Sequence, residues 1–386
     1  MSDADPTTDF VYRGQDQTTV TAALEAWIRR QEPALAATTV TSLWHPTHDG
    51  FSNITLVLDL DERPSAEAAA VADKVAVRLR NEHPLYDAMS LRRQFDDQIR
   101  LRSCGLPVPE MRWFGSDDPV LGEEFYAMAF VDGVIPSDLP SYHGGGWLAD
   151  LPEAERTALW WDAVDHVVAL HTIDPDAAGF SFDSPGEADA LMASMLAARH
   201  QMLDRFAGPD DLTTIRTALS WLEARAPHLD GPLRLCWGDA RLPNMAFVDA
   251  RVSAVLDWED LHLAWPVFDL AWFIYMDAIS AIQGGLERLA GLPDAEATVA
   301  RWCDGTGLDP DGLAWATVYS AVELATGFAA AFSSFVEPAR WGIGRGPGGR
   351  RRLCPRPGDR HGRGRRDQPA RRRGGPSLLA QRADRR

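Results

Sequence analysis

Four polar positions between residues 236 and 259 stand in an order that could do chemistry: Asp239, Arg241, Asn244 and, closing the apolar run 252–256, Asp257. A carboxylate near an acceptor hydroxyl, oxygen ligands for Mg²⁺ and a cation on the phosphates are what phosphoryl transfer from ATP needs. Its loose transition state asks for positioning and charge rather than covalent help. Asp239 suits the acceptor, Asn244 and Asp257 the metal, and Arg241 the γ-phosphate. The run 246–249, a turn at Asp249-Ala250-Arg251 and the run 252–256 read as a hairpin that carries Asn244 and Asp257 to one place. Gly-Asp and Asn alone would signal only a turn. The ordered set, with an apolar strand inside it, argues for a site.

Upstream residues offer the other half. Segments 39–44 and 54–60 are apolar and β-branched and predict a hairpin around 45–53. At its tip Gly50 permits an unusual backbone angle, and the following amides, the Ser52 hydroxyl and Asn53 could face phosphate oxygens. Segment 75–79 alternates as a half-buried strand. Its Arg78 offers a bidentate fork to phosphate, the competing reading being an edge-strand arginine on a solvated face.

Together these stretches resemble the aminoglycoside phosphotransferase-like and choline kinase-like branch of the protein-kinase-like fold. Trp237-Gly238-Asp239 with Asn244, then Asp257-Trp258-Glu259, resemble H-G-D-x-x-x-x-N and D-[FW]-E, with Trp237 where the family carries His. Val75-Ala76-Val77-Arg78 resembles V-A-[IV]-K, with Arg78 replacing the lysine that grips the α- and β-phosphates. Gly50, Ser52 and Asn53 match the nucleotide loop. Residues 125–133 resemble the hinge strand, which implies backbone contacts from Ala129 and Val131 to the adenine edge. Residues 264–271 resemble G-D-P-x-x-D-L-A, where Asp269 reads as a carboxylate capping free amides at a helix start. The family pairs its phosphate cation with a Glu on the next helix, but 88–103 holds Gln94, Asp96 and Asp97 and no Glu. His171 reads as a packing or hydrogen-bonding residue. The resemblance spans most of 38–336 and implies ATP and Mg²⁺ as cofactors, with Glu259 reaching a second metal through water.

Composition sets outer bounds. A chain of 386 residues can build two lobes with real cores. Cys104, Cys236, Cys303 and Cys354 show no paired or metal-like spacing, which suits a reducing compartment. Residues 1–5 are acidic and resemble no secretory signal. The most apolar stretch, 318–336, contains Glu323, so no membrane span is expected and the cytoplasm is the default. The net charge of −18 hides a division, because residues 340–386 carry sixteen arginines against three aspartates. An acidic body disfavours nucleic acid. The Arg/Gly/Pro tail reads as a basic arm for RNA or anionic lipid, as a segment docking on the acidic body, or as out-of-frame translation of GC-rich DNA, which its composition favours.

The expected architecture is two-lobed α+β. A mobile lead covers 1–17, an antiparallel-sheet N-lobe 18–133, a mainly helical C-lobe 134–336 and a disordered or out-of-frame tail 337–386. The expected function is ATP- and Mg²⁺-dependent phosphorylation of a hydroxyl on a small-molecule metabolite. A non-catalytic pseudokinase is the rival, suggested by Trp237 and the missing helix Glu. A second rival is an aminoglycoside-modifying resistance enzyme. With no local acidic cluster evident in the C-lobe helices, a neutral or anionic acceptor, acyl-type hydroxy compounds included, is expected instead.

Overall fold

The computed structural model describes residues 10–45, 53–61, 73–81, 90–182, 188–206 and 212–336, all within one compact unit. The nucleotide-loop candidates Gly50 and Ser52, and the tail at 337–386, lie outside the described residues.

The expected mobile lead needs correction from Phe10 onward. Val11–Tyr12 (β1) and Gln15–Asp16 (β2) pair as a small hairpin. Tyr12 is only 2% exposed, and its hydroxyl donates to the carbonyls of Arg80 and Leu121. A buried ring with two long-range hydrogen bonds outweighs the polar look of its neighbours. Asp16 then caps Gln17–Arg29 (α1) by accepting from the Thr19 amide at 2.8 Å. In α1 the buried stripe is Val20, Leu24, Trp27 and Ile28, one face of a 3.6-residue period.

That stripe lies on an antiparallel five-stranded sheet. Its strands are Thr39–Trp44 (β3), Asn53–Asp61 (β4), Lys74–Arg80 (β5), Met111–Asp118 (β6) and Gly122–Ala129 (β7), in the order β3-β4-β5-β7-β6. Alternation along β5 sends Val75, Val77 and Leu79 into the core shared with α1. Arg78 therefore points to the other face, and β5 is the central strand, so the solvated edge-strand reading does not hold. Leu91–Ser103 (α2) covers part of that second face through Leu91 and Phe95 against Tyr126.

Beyond the hinge the chain is mainly helical: Trp147–Asp150 (α3), Glu153–Thr172 (α4), Ala188–Phe206 (α5), Thr213–Ala224 (α6), Val267–Gln283 (α7), Ala295–Thr306 (α8) and Leu313–Val336 (α9). Two small ladders interrupt the helices. Arg234–Cys236 (β8) pairs with His262–Ala264 (β11), and Met245–Val248 (β9) pairs with Arg251–Val255 (β10). The expected hairpin turn is there, with Asp249 and Ala250 both at positive φ, as a two-residue turn of the I′ type requires. Residues 237–244 thus hang between β8 and β9, and 256–261 between β10 and β11, so two loops are pinned at both ends.

Close approach in the N-lobe makes one glycine decisive. A Cβ on Gly115 would lie 2.4 Å from the Phe125 ring and 2.9 Å from Trp27 Nε1. Gly115→Ala is expected to destabilise the protein by about 1–3 kcal/mol in urea unfolding through overpacking. Adding Phe125→Leu should return part of that loss; additive costs would contradict the contact.

Candidate active site

One buried carboxylate frames the site. Asp269, in the first turn of α7, is 2% exposed and accepts from the Trp237 amide at 2.6 Å and the Gly238 amide at 2.9 Å. It does satisfy amides, as its sequence position suggested, but those of the loop before β9 rather than of its own helix. His171 adds a third contact, with Nε2 3.1 Å from the same carboxylate. The Trp302 indole N–H, which can only donate, meets His171 Nδ1 at 2.9 Å. Nδ1 is therefore the acceptor, and Nε2 carries the hydrogen that goes to Asp269. His171, Cys236 and Asp269 lie within 4.8 Å of one another. With both imidazole nitrogens and both Asp269 oxygens committed, this trio is a structural network and not a metal site.

The His-to-Trp change at 237 keeps a donor. Trp237 Nε1 donates to the carbonyls of Leu256 at 3.0 Å and Asp257 at 2.9 Å, tying one loop to the other. Asp257 sits at φ 59°, a left-handed conformation that costs a non-glycine residue energy, and this bond helps hold it there. Gly238, at φ 89°, is glycine for a further reason: a Cβ would come within 2.7 Å of Asp260.

Asp239, Arg241 and Asn244 close on one another. Asp239 Oδ2 accepts from Asn244 Nδ2 at 2.7 Å and Arg241 Nε at 2.9 Å, and Oδ1 accepts from Trp272 Nε1 at 2.8 Å. Arg241 also pairs with Asp138, which the sequence reading did not select. Burial works against the Arg241 guanidinium, but Asp239 and Asp138 outweigh it and hold its pKa above the ordinary value.

Across the cleft, Arg78 Nη2 lies 2.9 Å from both Asp257 Oδ1 and Glu259 Oε2, and Nη1 donates to Thr55. Asn53 Nδ2 donates to the same Glu259 oxygen at 2.9 Å. Glu259 thus occupies the partner role sought on α2. Gln94 is buried, and Asp97 pairs along its own helix with Arg93 and Arg100. Burial pushes the Asp257 carboxyl up to about 6; Arg78 pulls against that rise while Glu259 and Asp239 add to it. The Leu256 amide donates to the Asn244 carbonyl at 2.9 Å, which sets the two candidate metal residues on adjoining backbone. The Ala129 amide donates to Glu110 O and the Phe130 amide to Lys74 O, so these two amides are already committed. Asp138, Trp272 and the Arg78–Glu259 pair escaped the sequence reading because partners this far apart in the chain leave no local spacing.

The profile of the phosphotransferase enzyme family matches residues 55–314, and the chain belongs to that family. Over 235 residues it is 30% identical to acyl-CoA dehydrogenase family member 11 of Homo sapiens, covering 58% of this chain and 28% of that protein. The chain thus spans little more than a quarter of that relative. A candidate aminoglycoside phosphotransferase of Ralstonia eutropha superposes with a TM-score of 0.60 at 23% identity, over 82% of this chain and 90% of the other. The ADP and hygromycin B complex of aminoglycoside phosphotransferase APH(4)-Ia gives 0.52 at 16% identity, over 84% and 100%. The fold is the kinase-like one. Among the described residues no helix is long and apolar enough to cross a membrane, and Cys104, Cys236 and Cys303 are free.

Asp269→Asn keeps the shape of the frame but turns an N–H₂ toward an amide donor. A loss of about 2–3 kcal/mol in urea unfolding is expected, the scale of hydrogen bonds to a charged group. Hydrogen exchange at the Trp237 and Gly238 amides should quicken; unchanged exchange there would contradict the frame.

Proposed function

We propose that this protein transfers the γ-phosphoryl group of ATP, with Mg²⁺, to a hydroxyl of a small-molecule acceptor. The observation that carries the reading is the Asp239–Asn244 pair joined through backbone to Asp257 in loops that Asp269 and Trp237 hold fixed. In this reading Asp239 orients the acceptor hydroxyl and takes its proton. Arg241, released from Asp138, steadies the γ-phosphate. Asn244 spends Nδ2 on Asp239, which leaves its amide oxygen for the metal beside the Asp257 carboxylate. Crowded carboxylates and a raised Asp257 fit a dication, which when bound offsets phosphate charge. Arg78 serves the α- and β-phosphates; its Nε is buried and has no partner among the described residues. Gly50 and Ser52 cover the phosphates, Asn53 lies at the root of that loop, and Ala129 and Val131 meet the adenine edge. Glu259, expected to reach a second metal, serves instead as the partner of Arg78 in this reading.

Two observations support catalysis over the pseudokinase alternative. Trp237 retains a donor where the family has His, and Glu259 supplies the anion that α2 lacks. For the acceptor, the name of the human relative ties a much longer protein to acyl-CoA, which supports a hydroxylated acyl compound. The hygromycin B complex of a distant neighbour supports the aminoglycoside alternative. We place the activity in the cytoplasm, where ATP is abundant.

The test is ATP consumption with Mg²⁺ against a panel of hydroxylated metabolites, hydroxyacyl thioesters and aminoglycosides. Wild type should turn over one acceptor class, and Asp239→Asn should lower kcat by about 100-fold or more, the scale of a lost general base, while still binding Mg·ATP. Tight nucleotide binding without turnover on any acceptor would hand the case to the pseudokinase reading.

A further inference from the structure

Helix α7 places a second polar contact on the catalytic loop, one that lies outside the motif pattern. Asp269 and Trp272 are three residues apart on α7 and so share a face. Asp269 takes the amides of Trp237 and Gly238, and the Trp272 indole N–H donates to the side chain of Asp239 at 2.8 Å. One helical turn therefore grips three successive loop residues.

The two oxygens of Asp239 differ in what they have left to offer. Oδ2 already accepts from Asn244 and Arg241, whereas Oδ1 accepts from Trp272. A carboxylate oxygen accepts about two hydrogen bonds, so Oδ1 keeps capacity for one more and Trp272 fixes the direction in which it is offered. The indole packs against the core cluster that holds Trp237, Trp258 and Phe273, so this donor is not free to swing away. An indole N–H has no lone pair to compete for the acceptor proton. A hydroxyl or a neutral imidazole in its place would.

Resting on the phosphotransferase reading, we propose that Trp272 is the positioning residue that presents Asp239 Oδ1 to the acceptor hydroxyl. As the acceptor oxygen bonds to the γ-phosphorus, its proton passes to Oδ1. The bond from the γ-phosphorus to the bridging oxygen breaks, and that electron pair leaves on ADP. Trp272 keeps its own proton throughout. Its contribution is direction, and a misdirected base costs rate more than affinity.

Trp272→Phe keeps an aromatic ring and removes the donor. With the acceptor found in the panel, kcat should fall about 10- to 100-fold while the KM for Mg·ATP stays within about two-fold, because the Trp272 hydrogen bond goes to Asp239, the residue assigned to the acceptor. An active wild type whose Trp272→Phe variant keeps its kcat, or loses Mg·ATP affinity in step with kcat, would overturn the assignment. A wild type silent on every acceptor would instead remove the phosphotransferase reading beneath it. If Trp272→Phe does not fold, the Trp272 indole N–H resonance of ¹⁵N-labelled wild type carries the test. It should shift when Asp239→Asn is introduced, and an unmoved resonance would refute the contact.

Discussion

A carboxylate with almost no water around it holds this site together. Taking Asp269 out of solvent is costly unless donors replace the water, and the Trp237 amide, the Gly238 amide and His171 do so. The cost and its compensation are both local, so the loop cannot drift from α7 without stranding a buried charge. Trp302 extends the same logic outward by fixing the tautomer of His171. Helices α4, α7 and α8 thereby converge on two backbone amides, and the residue after them is Asp239.

The second constraint crosses between sheet and helices. Arg78 belongs to the central strand of the N-terminal sheet, and its partners Asp257 and Glu259 belong to the loop after β10. Partly buried and multiply hydrogen bonded, such a pair costs most when one member is removed. Both cations of the site rest on carboxylates, Arg78 on Asp257 and Glu259 and Arg241 on Asp138 and Asp239. Four carboxylates against two guanidiniums leave the cleft with surplus negative charge, which a dication would offset.

Much of the fold could be read from the chain because its signals are local. The β9–β10 hairpin followed from two apolar runs and a turn, β5 from alternation, and the order Asp239, Arg241, Asn244, Asp257 from spacing. The residues missed are those whose reasons are distant. The partner of Arg78 was sought on α2, yet Glu259 lies 181 positions away. Asp269 looked like a cap for its own helix, whereas the amides it satisfies lie 31 and 32 residues earlier. Tyr12 sits in a strand of two residues, too short for any period to reveal, within the stretch 1–17 expected to be a mobile lead.

The most direct test is a crystal structure of the protein with Mg²⁺ and a non-hydrolysable ATP analogue. The account predicts Mg²⁺ at about 2.0–2.1 Å from the Asn244 amide oxygen and an Asp257 oxygen. Arg78 should have left Asp257 for the phosphates while the bonds from Asp269 to Trp237 and Gly238 remain. A nucleotide bound away from these residues, or a metal that ignores Asn244 and Asp257, would contradict it.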